Sequence, residues 1–185
     1  MKQGFPITVK YLDKLEWSSA ALEYKRNNDS KFHDIPAYPN LKSFLHNLEI
    51  RKCPENHPST GYGLYTTTAL EPNTYLLDYN GVVDLDVNIP SENDYCIHLH
   101  DILCVEAETK GNEGRFINDY FNIAPRPNVA FDTYINKEGE LAVGVWVLNQ
   151  RIQKDKELLV TYGHSFWKSR GIPREGPEWD DEWDS

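Results

Sequence analysis

Hydrophobic and polar positions in the middle of the chain change over in short runs instead of recurring at a helical period. LEIRKC, GLYTTT, TYLLDYNGVV, YCIHLH, ILCVEAE, NVAFDTYI, LAVGVWVL and ELLVTY are rich in β-branched and aromatic residues, which suit a half-buried pleated surface. Turn chemistry lies between them, in Glu71-Pro72-Asn73-Thr74, Asn80-Gly81, Lys137-Glu138-Gly139 and Lys154-Asp155-Lys156. From about residue 49 to residue 163 this pattern predicts a mostly β fold of several small sheets, not a parallel α/β fold. Upstream, Leu41, Phe44, Leu45 and Leu48 follow Asn40 at i, i+3, i+4 and i+7, which predicts an N-capped amphipathic helix. Leu12, Leu15 and Leu22 suggest an earlier helix, separated from it by the Pro-containing segment DIPAYP. Residues 1–48 are therefore expected as an N-terminal helical extension, 49–168 as the domain, and 169–185 as an acidic tail. Trp179 and Trp183 stand among Asp and Glu in that tail, and a large apolar ring prefers burial, so the tail is expected to fold back.

Composition narrows the partners. The 185 residues carry 19 Lys and Arg against 29 Asp and Glu, a formal net charge of −10. Nucleic acid is disfavoured as the main partner, because phosphate binding wants a basic face. A basic peptide suits the charge, as does an ordinary solvated acidic surface. The cysteines Cys53, Cys96 and Cys104 are odd in number and scattered, so neither a disulfide framework nor a cysteine-rich metal site is expected. The first residues, MKQGFPITVKYLDKLEW, hold no continuous apolar run, and no stretch approaches the roughly 18 apolar residues of a membrane span. An intracellular protein without membrane contact is expected.

Four segments carry candidate chemistry. Thr60-Gly61-Tyr62-Gly63-Leu64 places two glycines around one residue, which lets backbone approach a ligand closely. Tyr79-Asn80-Gly81 follows the strand TYLLD, and Asn-Gly is a hairpin signal. Residues 111–119, GNEGRFIND, followed by Pro127-Asn128-Val129, are poor core material and suit polar recognition. Residues 157–163, ELLVTYG, end a strand on Tyr162-Gly163. Each alone is an ordinary turn or sheet edge.

In this order and spacing, GYGL, YNG, GNEGRFIN with PN, and ELLVTYG resemble the successive motifs of the SET-domain protein-lysine methyltransferases, over roughly residues 49–168. The resemblance implies a SET fold of small sheets with a pseudoknot, and S-adenosylmethionine as methyl donor, leaving as S-adenosylhomocysteine. It assigns cofactor contacts to Thr60, Gly61, Tyr62 and Gly63, and to Arg115, Phe116, Asn118 and Asp119. Tyr162 stands beside the transferring methyl, contacts cofactor and, with Tyr79, is the catalytic candidate. Tyr79, Tyr95, Phe131 and Val160 are the implied walls of the lysine channel. Phe131, where relatives carry Tyr or Phe, lacks a hydroxyl to hold water against a methylated amine, which implies methylation beyond one methyl. Trp167 and Trp179 are candidates to cover the adenine or one side of the channel, with simple packing as the alternative for each.

The chemistry agrees with aromatic walls. Displacement at a sulfonium methyl by an amine is chiefly a matter of positioning. The lysine must first lose its proton, which at neutral pH costs on the order of 4–5 kcal/mol from a pKa of about 10.4. An apolar channel lowers that cost by desolvating the ammonium. Tyr162 is expected to position the amine, since a phenol of pKa about 10 is a poor base at pH 7.

Departures from the family pattern are specific. Where the family commonly has NHSC, this chain has Asn118-Asp119-Tyr120-Phe121. An acidic side chain there is unusual beside a cofactor. Phe121 replaces a cysteine that in some members joins a zinc site, and no cysteine cluster follows, so no metal is expected. The substrate is implied to be a lysine-containing protein, a histone tail or a translation protein, in the nucleus or else the cytoplasm. An inactive SET-fold binding module or scaffold is the alternative.

Overall fold

The computed structural model describes residues 8–58 and 61–172. In chain order it contains β1 (Lys10–Tyr11), β2 (Glu16–Trp17), α1 (Ser19–Asn27), β3 (Leu48–Lys52), β4 (Tyr62–Thr66) and β5 (Tyr75–Asp78). There follow β6 (Val82–Leu85), β7 (Cys96–His100), β8 (Leu103–Glu106), β9 (Lys110–Gly111) and β10 (Asn118–Asp119). The last are β11 (Val129–Ile135), β12 (Leu141–Val147), β13 (Leu159–Val160) and α2 (His164–Ser169). Among the described residues the strands form five small sheets: β2-β6-β8-β7, β11-β12-β5, β3-β4, β1-β9 and β10-β13.

Period-two burial organises the longest strand. On β12, Leu141, Val143, Val145 and Val147 share one face, the first two entering one buried cluster and the last two another. On its other face, Ala142 and Trp146 meet Tyr75, Tyr134 and Leu41. The β11–β12 hairpin keeps full antiparallel register from Val129↔Val147 to Ile135↔Leu141. Its turn is set by Asn136, whose side-chain oxygen accepts the N–H of Glu138 and of Glu140, both at 3.0 Å.

The Asn80-Gly81 hairpin does not form. β5 pairs with β12, whereas β6 pairs with β2 and β8, so Tyr79-Asn80-Gly81 carries the chain from one sheet to the next. Asn80 is buried there, its N–H donating to Asn112 Oδ1 at 3.1 Å. A Cβ on Gly81 would stand 2.3 Å from the Glu106 carbonyl oxygen, so close backbone approach explains the glycine.

The helix expected behind Asn40 is also absent. Residues 41–44 are irregular, Leu45–Asn47 make one 3-10 turn, and Leu48 already belongs to β3. Ser43 Oγ and the Phe44 N–H both donate to the Leu76 carbonyl, at 2.9 and 2.7 Å. Leu41 packs in the aromatic cluster while Leu45 and Leu48 pack on the main core. Tertiary partners on two sides override a one-sided helical period. Of the upstream helix expected on Leu12, Leu15 and Leu22, only Leu22 falls in a helix, α1, which is capped by Ser18 Oγ accepting the Ala21 N–H. Its buried residue is Ala21, whereas Leu22 is 46% exposed and Leu12 lies buried ahead of β2. The rest of the N-terminal segment is woven into the sheets, β1 beside β9 and β2 beside β6. Tyr11 also donates its hydroxyl to the buried Glu113 at 2.9 Å.

The joint that positions the site is the parallel pairing of β10 with β13, Asn118↔Leu159 and Asp119↔Val160. It brings the GNEGRFIND and ELLVTYG segments side by side, the crossing that the resemblance describes as a pseudoknot. Asn128 reinforces it, donating Nδ2–H to the Glu157 carbonyl and accepting the Leu159 N–H on Oδ1, both at 2.8 Å.

Candidate active site

Two clefts meet at one wall. The first, of about 470 Å³, is lined by Gly61, Tyr62, Asn118, Asp119, Phe121 and Trp167. The second, of about 420 Å³, is lined by Tyr79, Val129, Phe131, Val160 and Thr161. Tyr95, Arg115, Tyr162 and Phe166 line both. Of the residues assigned to cofactor, Gly61, Tyr62, Phe116, Asn118, Asp119 and Trp167 line the first cleft alone and Gly63 lines neither; of those assigned to the channel, Tyr79, Phe131 and Val160 line the second alone. Thr60 and Trp179 lie outside the described residues, as does the acidic run of the tail.

In the first cleft, Asn118 ties the glycine segment to the joint. Its Nδ2 donates to the Tyr62 carbonyl at 3.2 Å and to Glu157 Oε1 at 2.8 Å. Gly63 has no room for a side chain, because a Cβ would stand 2.4 Å from that same Oε1. Phe116 sits buried beneath the exposed Tyr62 ring, edge-on at 6.3 Å. Asp119 does not intrude on the cleft as an unsatisfied acid. Its carboxylate is buried and accepts the Phe121 N–H on Oδ1 and the Tyr162 N–H on Oδ2, each at 2.6 Å. The acidic residue that departs from the family pattern is therefore a clamp across the β10–β13 joint. Arg115 spends its guanidinium on the Ala107 and Glu108 carbonyls at 2.8 and 3.2 Å and lies 4.0 Å over the Tyr95 ring. It positions Tyr95 as well as lining the cleft.

The start of α2 follows Gly163, whose φ of 82° turns the chain sharply out of β13. That turn brings Phe166 against Tyr162, edge-on at 4.8 Å, and Trp167 against Phe121 at 5.4 Å. Phe121, which stands where a zinc-binding cysteine is found in some relatives, here holds a tryptophan instead. Trp167 Nε1 is buried and has no hydrogen-bond partner among the described residues. An N–H orphaned in a cleft wall suits a ligand that brings an acceptor. Arg170 latches α2 down, with Nε 2.8 Å from Asp94 and its guanidinium 3.7 Å over Phe166. Phe166, Arg170 and Asp94 were not singled out by pattern, since a latch between distant segments leaves no local period.

On the channel side, Tyr79 is buried and donates its hydroxyl to the Tyr95 carbonyl at 2.8 Å. Its ring meets Phe131 edge-on at 5.4 Å. Val160 is buried on β13. Tyr162 donates its hydroxyl to the Ile117 carbonyl at 2.8 Å, which fixes the ring at the mouth common to both clefts.

Burial pushes the phenols of Tyr162 and Tyr79 well above their ordinary range, and the Asp119 carboxylate adds to the effect on Tyr162. Tyr75 and Tyr134 are pushed the same way by burial and by the Asp78 carboxylate. Each of these four keeps a proton in the fold that the unfolded chain releases near pH 10. Their contribution is fully present below pH 10 and is lost above it, by up to about 1.4 kcal/mol per pH unit and phenol. The phenolate absorbance of these four is expected to rise only above about pH 10, together with loss of tertiary structure. A single stage near pH 10 with the fold intact contradicts this.

The described residues contain no helix long and apolar enough to cross a membrane. A comparison with curated proteins returned no match. The family model of the SET domain matches residues 61–163, more than half of the chain, running from the first glycine of the GxG segment to the glycine after Tyr162. Fold, joint and motif order agree with that match, and the chain belongs to the SET-domain family.

Proposed function

We propose that this protein transfers methyl groups from S-adenosylmethionine to the ε-amine of lysine in a protein substrate. The observation that carries this reading is the meeting of the two clefts at Tyr162, whose hydroxyl is fixed on the Ile117 carbonyl. SET domains are in general protein-lysine methyltransferases.

Gly61, the Tyr62 and Gly63 backbone, Phe116, Asn118 and the Trp167 and Phe121 rings would hold the donor, which supplies an electrophilic methyl when bound. The orphaned Trp167 N–H in the wall of the first cleft fits such a group. Tyr79, Tyr95, Phe131 and Val160 give the second cleft an apolar wall, and desolvation against it favours the neutral amine over the ammonium. Tyr162 remains a phenol at neutral pH and orients the amine without removing its proton. The proton leaves to solvent at the channel mouth. A net charge of −10 supports a basic substrate segment such as a histone tail.

Calorimetric titration with S-adenosylmethionine tests the reading. Wild-type protein binds; Asn118→Ala, which removes the bonds to Tyr62 and Glu157, binds about 10-fold or more weakly. Absence of binding by folded wild-type protein at any accessible concentration leaves the family assignment and removes the enzyme.

A further inference from the structure

Behind the glycine segment, outside both clefts, Cys53, His57 and Glu157 converge. A sulfur, a ring nitrogen and a carboxylate oxygen from the three all lie within 4.8 Å of one another. The His57 and Glu157 side chains are 7% and 8% exposed, with His57 Nε2 3.0 Å from Glu157 Oε2. Cys53 is 7% exposed. The arrangement is built by the backbone. The His57 N–H donates to the Pro54 carbonyl and the Cys53 N–H to the Gly61 carbonyl, both at 3.0 Å. This reversal turns Cys53 and His57, four residues apart, toward one point on the segment that leads into β13.

The carboxylate is also oriented from outside the cluster. Asn118 Nδ2 donates to Oε1 at 2.8 Å and the Tyr65 hydroxyl to Oε2 at 3.0 Å. Outer hydrogen bonds of this kind commonly fix the ligands of a metal. Asn118 Nδ2 also donates to the Cys53 sulfur at 3.9 Å, so one amide and the His57–Glu157 contact hold the three groups around one point. Thiolate, imidazole and carboxylate together suit zinc, with bonds of about 2.0–2.3 Å that place tetrahedral ligand atoms about 3.3–3.6 Å apart. The ligand atoms already lie within 4.8 Å of one another, and side-chain rotation closes the remainder.

We propose that Cys53, His57 and Glu157 bind a zinc ion, with one further position filled by water. The Cys53 thiol proton is released to solvent on binding. The ion ties the segment from Cys53 to His57 to the one that leads into β13, and its role is structural. Nothing in this depends on methyl transfer, and the ligands differ from any cysteine-rich zinc cluster.

The test uses the full chain, stripped with a chelator and titrated with zinc against a chromophoric competitor, then with cobalt. One zinc per chain is expected, with a cobalt spectrum of tetrahedral bands and a thiolate-to-cobalt charge-transfer band. Cys53→Ser removes the charge-transfer band and weakens zinc about 100-fold or more, while Cys104→Ser keeps both. Zinc also raises the midpoint of thermal unfolding of the wild type by several degrees. Folded wild-type protein that takes up no zinc, or whose cobalt spectrum is octahedral without a thiolate band, overturns the proposal. Those wild-type readings decide the matter even where Cys53→Ser does not fold.

Discussion

Replacing Asp119 with alanine is expected to cost the protein about 3–5 kcal/mol, a large part of the stability of a domain this size. Its buried carboxylate holds two backbone amides, of Phe121 and Tyr162, at 2.6 Å each. Hydrogen bonds to a charged acceptor contribute about 1.5–3 kcal/mol apiece. The loss falls on the joint between β10 and β13, so cofactor affinity declines with stability. Asp119→Asn keeps one acceptor oxygen and recovers part of the effect. Denaturant unfolding of the three proteins measures it. A cost below about 1 kcal/mol for the alanine variant, against the values above, would mean that the clamp is incidental.

Tyr162→Phe is expected to do the reverse, sparing the fold and abolishing most turnover. The phenol contributes one hydrogen bond to the Ile117 carbonyl, worth about 0.5–1.5 kcal/mol. Its ring stays wedged against Phe166. On the proposed function, losing this hydroxyl is expected to lower kcat by about 10²–10³-fold, with S-adenosylmethionine affinity little changed. A methyl-transfer assay on a lysine-rich protein, read by mass spectrometry, gives the rate and the number of methyls added. Turnover close to wild type would pass the positioning role to Tyr95, which lines the same two clefts.

The two variants separate local chemistry from long-range construction, and legibility in the sequence divides along the same line. Tyr162, Asn118 and the glycines stand in short motifs whose order survives in one dimension. The β11–β12 hairpin was legible because Asn136 and Gly139 make their turn by local hydrogen bonds and backbone freedom. Asp119 was legible as a departure only, because the amide of Tyr162 that it holds lies 43 residues away. The cluster of Cys53 and Glu157 was hidden for the same reason: no spacing rule joins residues about 100 positions apart.

Errors of pattern arose where one segment serves two surroundings. Leu41, Leu45 and Leu48 read as one helical face, yet they pack in two different clusters while Ser43 and Phe44 bond to Leu76. Asn80-Gly81 read as a hairpin, yet the strands on either side belong to different sheets. The sequence alone determined strand content, the motif order and the aromatic character of the site, because period, turn chemistry and side-chain type are local properties. The tertiary structure decided which strands pair, which way Asp119 points and how α2 closes over Tyr162, because those depend on partners that the chain brings together only when folded.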